Sequence, residues 1–216
     1  FIRTFMEGDV GQLQSRVSTA ALVRFWTMLA HYHSQIWNAS ELARTLGVGE
    51  STTRRYIDLL EDLLMVRQLK PWHENLKKRQ VKAPKIYLRD SGLLHQLLGF
   101  KTVKDMLEHP KSGASWEGYA LEETLKVVAA DEAYFWATHQ GAELDLLLIK
   151  DSLKYGVEFK RVDAPRMTPS IKTAIDDLGL HHLTIIYPGD KSYMISDKVQ
   201  VMPLKSIATA EASRLV

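Results

Sequence analysis

The chain has 216 residues, 45% of them apolar and 25% charged, with no cysteine and a net charge of +2. That balance suits one generous core or two small ones and excludes a disordered or fibrous chain. Without cysteine there are no disulfides, thiolate zinc sites or cysteine nucleophiles, so chemistry is left to carboxylates, His, Lys, Ser or a hard cation. No run approaches the roughly 18 apolar residues of a membrane span, and Phe1-Ile2-Arg3-Thr4 lacks the order of a signal peptide. A cytoplasmic protein with no membrane association is expected.

In chain order, Ala20 to Tyr32 carries Leu22, Val23, Phe25, Trp26, Leu29 and Ala30 at helical spacing. A second helix is predicted from Ser40 to Leu46, with Asn38 and Ser40 as capping candidates, followed by a turn at Gly47-Val48-Gly49. A third runs from Ser51 to Val66, with Tyr56, Ile57, Leu60, Leu63 and Leu64 inside and Arg54, Arg55 and Asp58 outside. Helix, glycine turn and helix form a helix-turn-helix pattern. Val66–Leu69 and Lys85–Leu88 then read as short strands around a basic segment, where a winged-helix fold places its wing.

Between Arg67 and Arg89 stand eight Lys or Arg against Glu74 alone, a local +7 that leaves −5 for the remainder. Such a stretch suits a polyanion, and equally a solvated face or an acidic partner domain. If the third helix entered a DNA groove, Ser51, Thr52, Arg54 and Arg55 would face bases and phosphates, with Lys77, Lys78, Arg79 and Lys82 on the backbone. Thr53, where such helices often put an apolar residue, departs from the pattern, and Glu50 and Asp58 repel phosphate.

A helix follows over Asp90–Phe100, and 101–114, with Pro110 and Gly113, reads as a linker. The expected organisation is a winged-helix-like module over 1–100 and an α/β domain over 115–216. In the latter, helix Trp116–Ala130, strands Ala133–Thr138, Leu144–Lys150 and Tyr155–Arg161, helix Ser170–Leu178 and strands Leu183–Tyr187 and Val199–Pro203 predict a mixed sheet flanked by helices.

Three placements in that domain stand out. Glu117 heads a stripe of Leu121, Leu125 and Val128, where a charge needs a partner, a cation or the helix N-terminus. Asp145 interrupts Leu144-Asp145-Leu146-Leu147-Leu148, a run apolar on both faces. Glu158 and Lys160 lie two apart on one strand and share a face, and a hairpin closing near Asp151 brings Glu158 beside Asp145. Converging acids and a lysine are what a hard divalent ion needs to activate water against a phosphate. The His residues have no spacing that favours a zinc site.

Glu117 on a helix, Asp145 on a strand and Glu158-Phe159-Lys160 on the next resemble the PD-(D/E)XK nuclease-like superfamily. The flanking Gln140-Gly141-Ala142-Glu143-Leu144-Asp145 and Gly156-Val157-Glu158-Phe159-Lys160 extend the likeness. The resemblance implies a restriction-endonuclease-like domain in which Asp145, Glu158 and Glu117 hold Mg²⁺ or Mn²⁺ and Lys160 serves the attacking water or the phosphate. A non-catalytic domain, in which the acids form a structural network, is the alternative.

More widely, Phe1-Ile2-Arg3-Thr4-Phe5, Ser40-Glu41-Leu42-Ala43, Arg54 to Glu61, Lys85 to Leu94 and Trp136 to Asp145 resemble the C-terminal region of prokaryotic AAA-type ATPases. The likeness implies a nucleotide-binding module in the parent chain as a partner. The sequence holds no G-x-x-x-x-G-K-[ST] run, so ATP would belong to that missing module. A start at Phe1 without methionine fits a truncated product.

Overall fold

The computed structural model describes residues 19–74, 79–208 and 215. The chain divides into two compact units, one of residues up to 68 with 86–115, the other of 69–85 with 116 onward. Among the described residues no helix is long and apolar enough to cross a membrane.

The first unit contains α1 (Thr19–His31), β1 (Gln35–Ile36), α2 (Ala39–Leu46), α3 (Glu50–Asp62), β2 (Val66–Leu69), β3 (Lys85–Leu88), α4 (Ser91–Leu97) and α5 (Val103–Glu108), except that Leu69 and Lys85, at the ends of β2 and β3, belong to the second. Leu22, Phe25, Trp26 and Leu29 are buried, and the Phe25 ring meets Tyr56 and Trp37 edge-on at 5.4 and 6.2 Å. Asn38 caps α2 by accepting from the Glu41 amide, and Gly47 closes it at φ 70°, where a side chain would be strained. Thr53 is fully buried, and its hydroxyl donates to the Glu50 carbonyl at 2.8 Å, so a polar residue occupies a core position at little cost. The strands form a small sheet in the order β1-β3-β2. Next to it, buried His33 accepts at Nδ1 from the Leu88 amide at 3.0 Å.

Residues 101–114 are more ordered than their Pro and Gly suggest. Thr102 and Asp105 cap α5 reciprocally, and α6 (Ser112–Val127) begins just beyond Pro110. Glu117 therefore lies in the second turn of α6 rather than the first, beyond the strongest reach of the helix dipole.

The second unit is a six-stranded mixed sheet in the order β4-β5-β6-β7-β9-β8, from β4 (Glu132–Ala137), β5 (Glu143–Lys150), β6 (Leu153–Phe159), β7 (His182–Tyr187), β8 (Tyr193–Ser196) and β9 (Val199–Pro203). Strands β4, β5 and β6 run antiparallel, and β6, β7 and β9 parallel. Helix α7 (Pro169–Leu178) connects β6 to β7, capped by Thr168 and closed by Gly179 at φ 62°. Its Ile171, Ala174 and Leu178 enter a core with Trp136, Leu144, Leu147, Leu183, Ile185 and Val199. Asp151 and Ser152 take φ values of 49° and 65° in a two-residue turn, the backbone that matches strand twist in a tight hairpin, and so fix the β5–β6 register.

The basic segment departs from the expected wing. Its described ends lie along β4, the outer strand of the large sheet. Trp72 donates to the Phe135 carbonyl at 2.6 Å, Phe135 to that of Lys70 at 3.0 Å, and Val81 to that of Ala137 at 3.0 Å. Gln80 accepts from Trp136 Nε1 at 3.0 Å. Trp72 packs on Tyr134, with the Lys154 ammonium 5.5 Å from its ring centroid, so it anchors this segment. The described residues of this segment, 69–74 and 79–85, therefore cover part of an edge that would otherwise offer open hydrogen bonds to another chain.

Candidate functional site

The β5–β6 ladder positions the acids. Its last pair is Leu146 opposite Val157, and Asp145 and Glu158 are the next residues along the two strands. At that step Asp145 Oδ2 accepts from the Phe159 amide at 3.0 Å, so a side chain takes up a donor where the ladder ends. Both acids are buried, and Lys160 reaches both, with its Nζ 2.6 Å from Glu158 Oε2 and 3.7 Å from Asp145 Oδ2. Along β7 the parallel pairing continues as Lys160 N donates to the Ile186 carbonyl at 2.9 Å.

Burial, and then the neighbouring Asp145 charge, push the Glu158 pKa up to about 8 against the pull of Lys160. Burial disfavours the Lys160 charge, yet Asp145 and Glu158 outweigh it and hold the ammonium above the ordinary lysine range.

Glu117 joins the cluster through a residue to which the sequence reading gave no role. Lys85 is 3% exposed, and its Nζ lies 3.4 Å from Glu117 Oε1 and 3.7 Å from Asp145 Oδ1, in an ion pair also with Glu143. Glu143 is held by its backbone, whose amide meets Ser170 Oγ at 2.7 Å while that hydroxyl reaches the Glu143 carbonyl at 2.7 Å. The structure thus brings Glu117, Asp145, Glu158 and Lys160 into one network and adds Lys85 and Glu143. Lys85 heads Lys85-Ile86-Tyr87-Leu88, a strand buried along its length, and a buried ammonium needs carboxylates.

Among the described residues no three His, Asp or Glu side chains stand in an arrangement ready to hold a metal ion. Ammonium groups lie between the acids instead. The donor set is nevertheless the right one: oxygens of Glu117, Glu143 and Asp145 all face the Lys85 Nζ, and hard oxygen ligands suit Mg²⁺ or Mn²⁺.

On the other unit, Ser51, Arg54 and Arg55 are exposed on α3 and Thr52 is partly so, with Glu50 3.8 Å from Arg54. Arg79 and Lys82 are exposed on the segment along β4. Lys77 and Lys78 lie outside the described residues.

Two domain models match the chain, each that of a domain of unknown function: DUF8612 over residues 1–104 and DUF4143 over residues 112–207. Uncharacterised proteins of Mycobacterium tuberculosis (strain H37Rv) and Mycobacterium bovis are each 47% identical over 209 residues, covering 97% of this chain and 47% of the relative. The chain spans about half the length of the curated relatives it matches. No solved structure matches it.

Proposed function

We propose that residues 115–216 form a PD-(D/E)XK-like, divalent-cation-dependent phosphodiesterase domain acting on DNA. The observation that carries this reading is the pair of buried carboxylates, Asp145 and Glu158, on neighbouring strands with Lys160 between them. An apolar sheet gains nothing from such a pair, whereas a bound hard cation would stabilise it. The element order α6-β4-β5-β6-α7-β7 and the mixed sheet support the same reading.

Asp145, Glu158 and Glu117 would hold Mg²⁺ or Mn²⁺. When bound, that ion supplies polarisation of a phosphate oxygen and a more acidic water. Lys160 keeps a proton at Nζ and sets a positive charge beside the acids, where it offsets negative charge building on phosphate. The Phe159 amide fixes the rotation of the Asp145 carboxylate. The first unit would act as a winged-helix-like docking module, with Ser51, Thr52, Arg54 and Arg55 toward DNA, and Arg79 and Lys82 would be phosphate contacts of the second unit by itself. In the parent protein an ATPase module, the only part to bind ATP, would drive the assembly in the cytoplasm. DUF4143 is found in C-terminal regions associated with AAA-type ATPases, and the relatives are long enough to carry such a module.

The test is nicking of supercoiled plasmid and cleavage of branched DNA in Mg²⁺ and in Mn²⁺. The wild-type chain is expected to cut, and Asp145→Ala or Lys160→Ala to lose on the order of 100-fold while keeping the fold. The absence of cutting on every substrate in both ions refutes the reading. It would favour a second one, a non-catalytic DNA- or protein-binding attachment of the ATPase, to which the Lys85 ammonium among the acids already lends support.

A further inference from the structure

We infer that the second unit seats an unpaired nucleobase of single-stranded DNA in a cavity beside α6, with Lys205 on the adjoining phosphate. The inference rests on the DNA-acting reading above and names the form of DNA that this unit takes.

The cavity, of about 290 Å³, is lined along one stripe of α6 by Trp116, Tyr119 and Glu123 and closed by Gly189, after β7, and by Leu204 and Lys205, after β9. Strands β6, β7 and β9 are parallel, so this is the end of the sheet at which Glu158 and Lys160 stand on β6 and just beyond it. Open α/β sheets bind their ligands at that end. The volume lies at the lower limit of ligand pockets and suits one planar base.

The Trp116 and Tyr119 rings stand 6.3 Å apart at 56°, an open corner in which a flat heterocycle lies on the face of one ring and meets the other by its edge. Tyr119 is 44% exposed and so available to a base. The Trp116 Nε1 is buried and, among the described residues, has no hydrogen-bond partner, a cost that an acceptor on a seated base would relieve. Glu123 supplies an oxygen for a base amino group.

Lys205 pairs with Asp190, but both side chains are mostly exposed, so the pair is weak and a phosphate can take the carboxylate's place. Lys191 and Arg166 are exposed on the neighbouring loops. Those loops are tied down. Tyr187 Oη donates to the Lys191 carbonyl at 2.8 Å and accepts from its amide at 3.0 Å, and a methyl added at Gly189 would strike the Tyr187 ring, so the turn lies directly over it. Tyr193 Oη donates to the Pro165 carbonyl at 3.4 Å, next to Arg166 in the chain. A cationic rim around an aromatic cavity suits a single strand, whose bases are free to enter, rather than a duplex, whose bases are stacked.

The experiment measures, by fluorescence anisotropy in EDTA, binding of the full chain to a labelled single strand of about ten nucleotides, to the duplex of the same sequence, and to a strand with abasic sugars throughout. The wild type is expected to bind the single strand. Tyr119→Ala and Trp116→Leu should each weaken that binding about tenfold, leave duplex binding unchanged and have no effect on the abasic strand. Lys205→Ala should weaken binding of both single strands and lower the salt dependence by about one phosphate contact. Tyr119 is exposed, so its variant reports even where Trp116→Leu fails to fold. Wild-type affinity in Tyr119→Ala, an equal loss on the abasic strand or the duplex, or no binding of the single strand by the wild type overturns the inference. Plasmid nicking in Mg²⁺ or Mn²⁺ alongside an unaffected Tyr119→Ala overturns the base cavity alone, and base-dependent binding without cutting supports the cavity while refuting the phosphodiesterase reading.

Discussion

Replacing Asp145 by alanine removes three different interactions, and their sizes decide the outcome. The first is the hydrogen bond from the Phe159 amide at 3.0 Å, whose loss leaves a buried N–H without its acceptor and costs about 1–3 kcal/mol. The second is charge pairing with two lysines. Lys85 retains Glu117 and Glu143, and Lys160 retains Glu158 at 2.6 Å while partly exposed, so this loss is small. Relief of the repulsion between Asp145 and Glu158 acts in the opposite sense. The amide therefore dominates, and the metal-free protein should lose about 2 kcal/mol, or roughly 4–8 °C in melting temperature for a chain of this size. Asp145→Asn keeps an oxygen for the Phe159 amide and should recover about half of the loss. Melting followed by circular dichroism in EDTA measures both variants. An alanine variant that melts at or above the wild type would refute the assignment, and so would identical losses in the two.

Three further outcomes follow from geometry elsewhere. A methyl group added at Gly156 would lie 2.7 Å from Leu180 Cδ1 and 3.2 Å from Leu183 Cδ1, so Gly156→Ala should cost about 1–3 kcal/mol in urea unfolding; a neutral result would mean that the core is loosely packed there. Burial, aided by Lys111, pushes the His33 pKa down to about 3, so the folded protein keeps this ring neutral while the unfolded chain protonates near pH 6.5. Its stabilising contribution is thus full above that pH and falls as pH drops, by about 2 kcal/mol at pH 5. His33→Asn, which keeps an acceptor for the Leu88 amide, should flatten that part of the dependence in urea titrations at pH 7 and 5; an unchanged slope contradicts it. Arg54→Ala with Arg55→Ala should weaken duplex DNA binding and reduce its salt dependence by about two phosphate contacts without shifting the melting temperature, as read by fluorescence anisotropy across salt concentrations; undiminished binding removes α3 from the interface.

The parts of the molecule legible in the sequence are those governed by local pattern. The strands and helix of the large sheet follow from apolar runs and from the turn at Asp151-Ser152, and an acid inside the Leu144–Leu148 run identifies itself because an apolar strand has no use for it. The role of Lys85 was not legible. Its nearest carboxylate partner in sequence, Glu117, is 32 residues away, and no periodicity links a strand residue to acids on a helix and another strand. The seating of the basic segment on β4 was hidden for a similar reason. Two isolated bridges, Pro71 with Phe135 and Gln80 with Thr138, leave no alternating pattern, so charge alone suggested a free wing. Helix α5 was missed because Pro110 and Gly113 drew the reading toward a loop, although Thr102 and Asp105 already spelled its capping box. Strand β8 is short and largely exposed, without the apolar side that would mark it.

The claim on which the account turns is that the buried acids exist to hold a divalent ion. Calorimetric titration of Mn²⁺ into the wild-type chain and Asp145→Ala, under identical buffer and with the fold of each verified, addresses it without any assumption about substrate. The wild type is expected to bind Mn²⁺ saturably and the variant to lose that binding. Heats that are the same in both, or absent from both, would contradict it and leave the cluster a salt-bridge network built around Lys85 and Lys160.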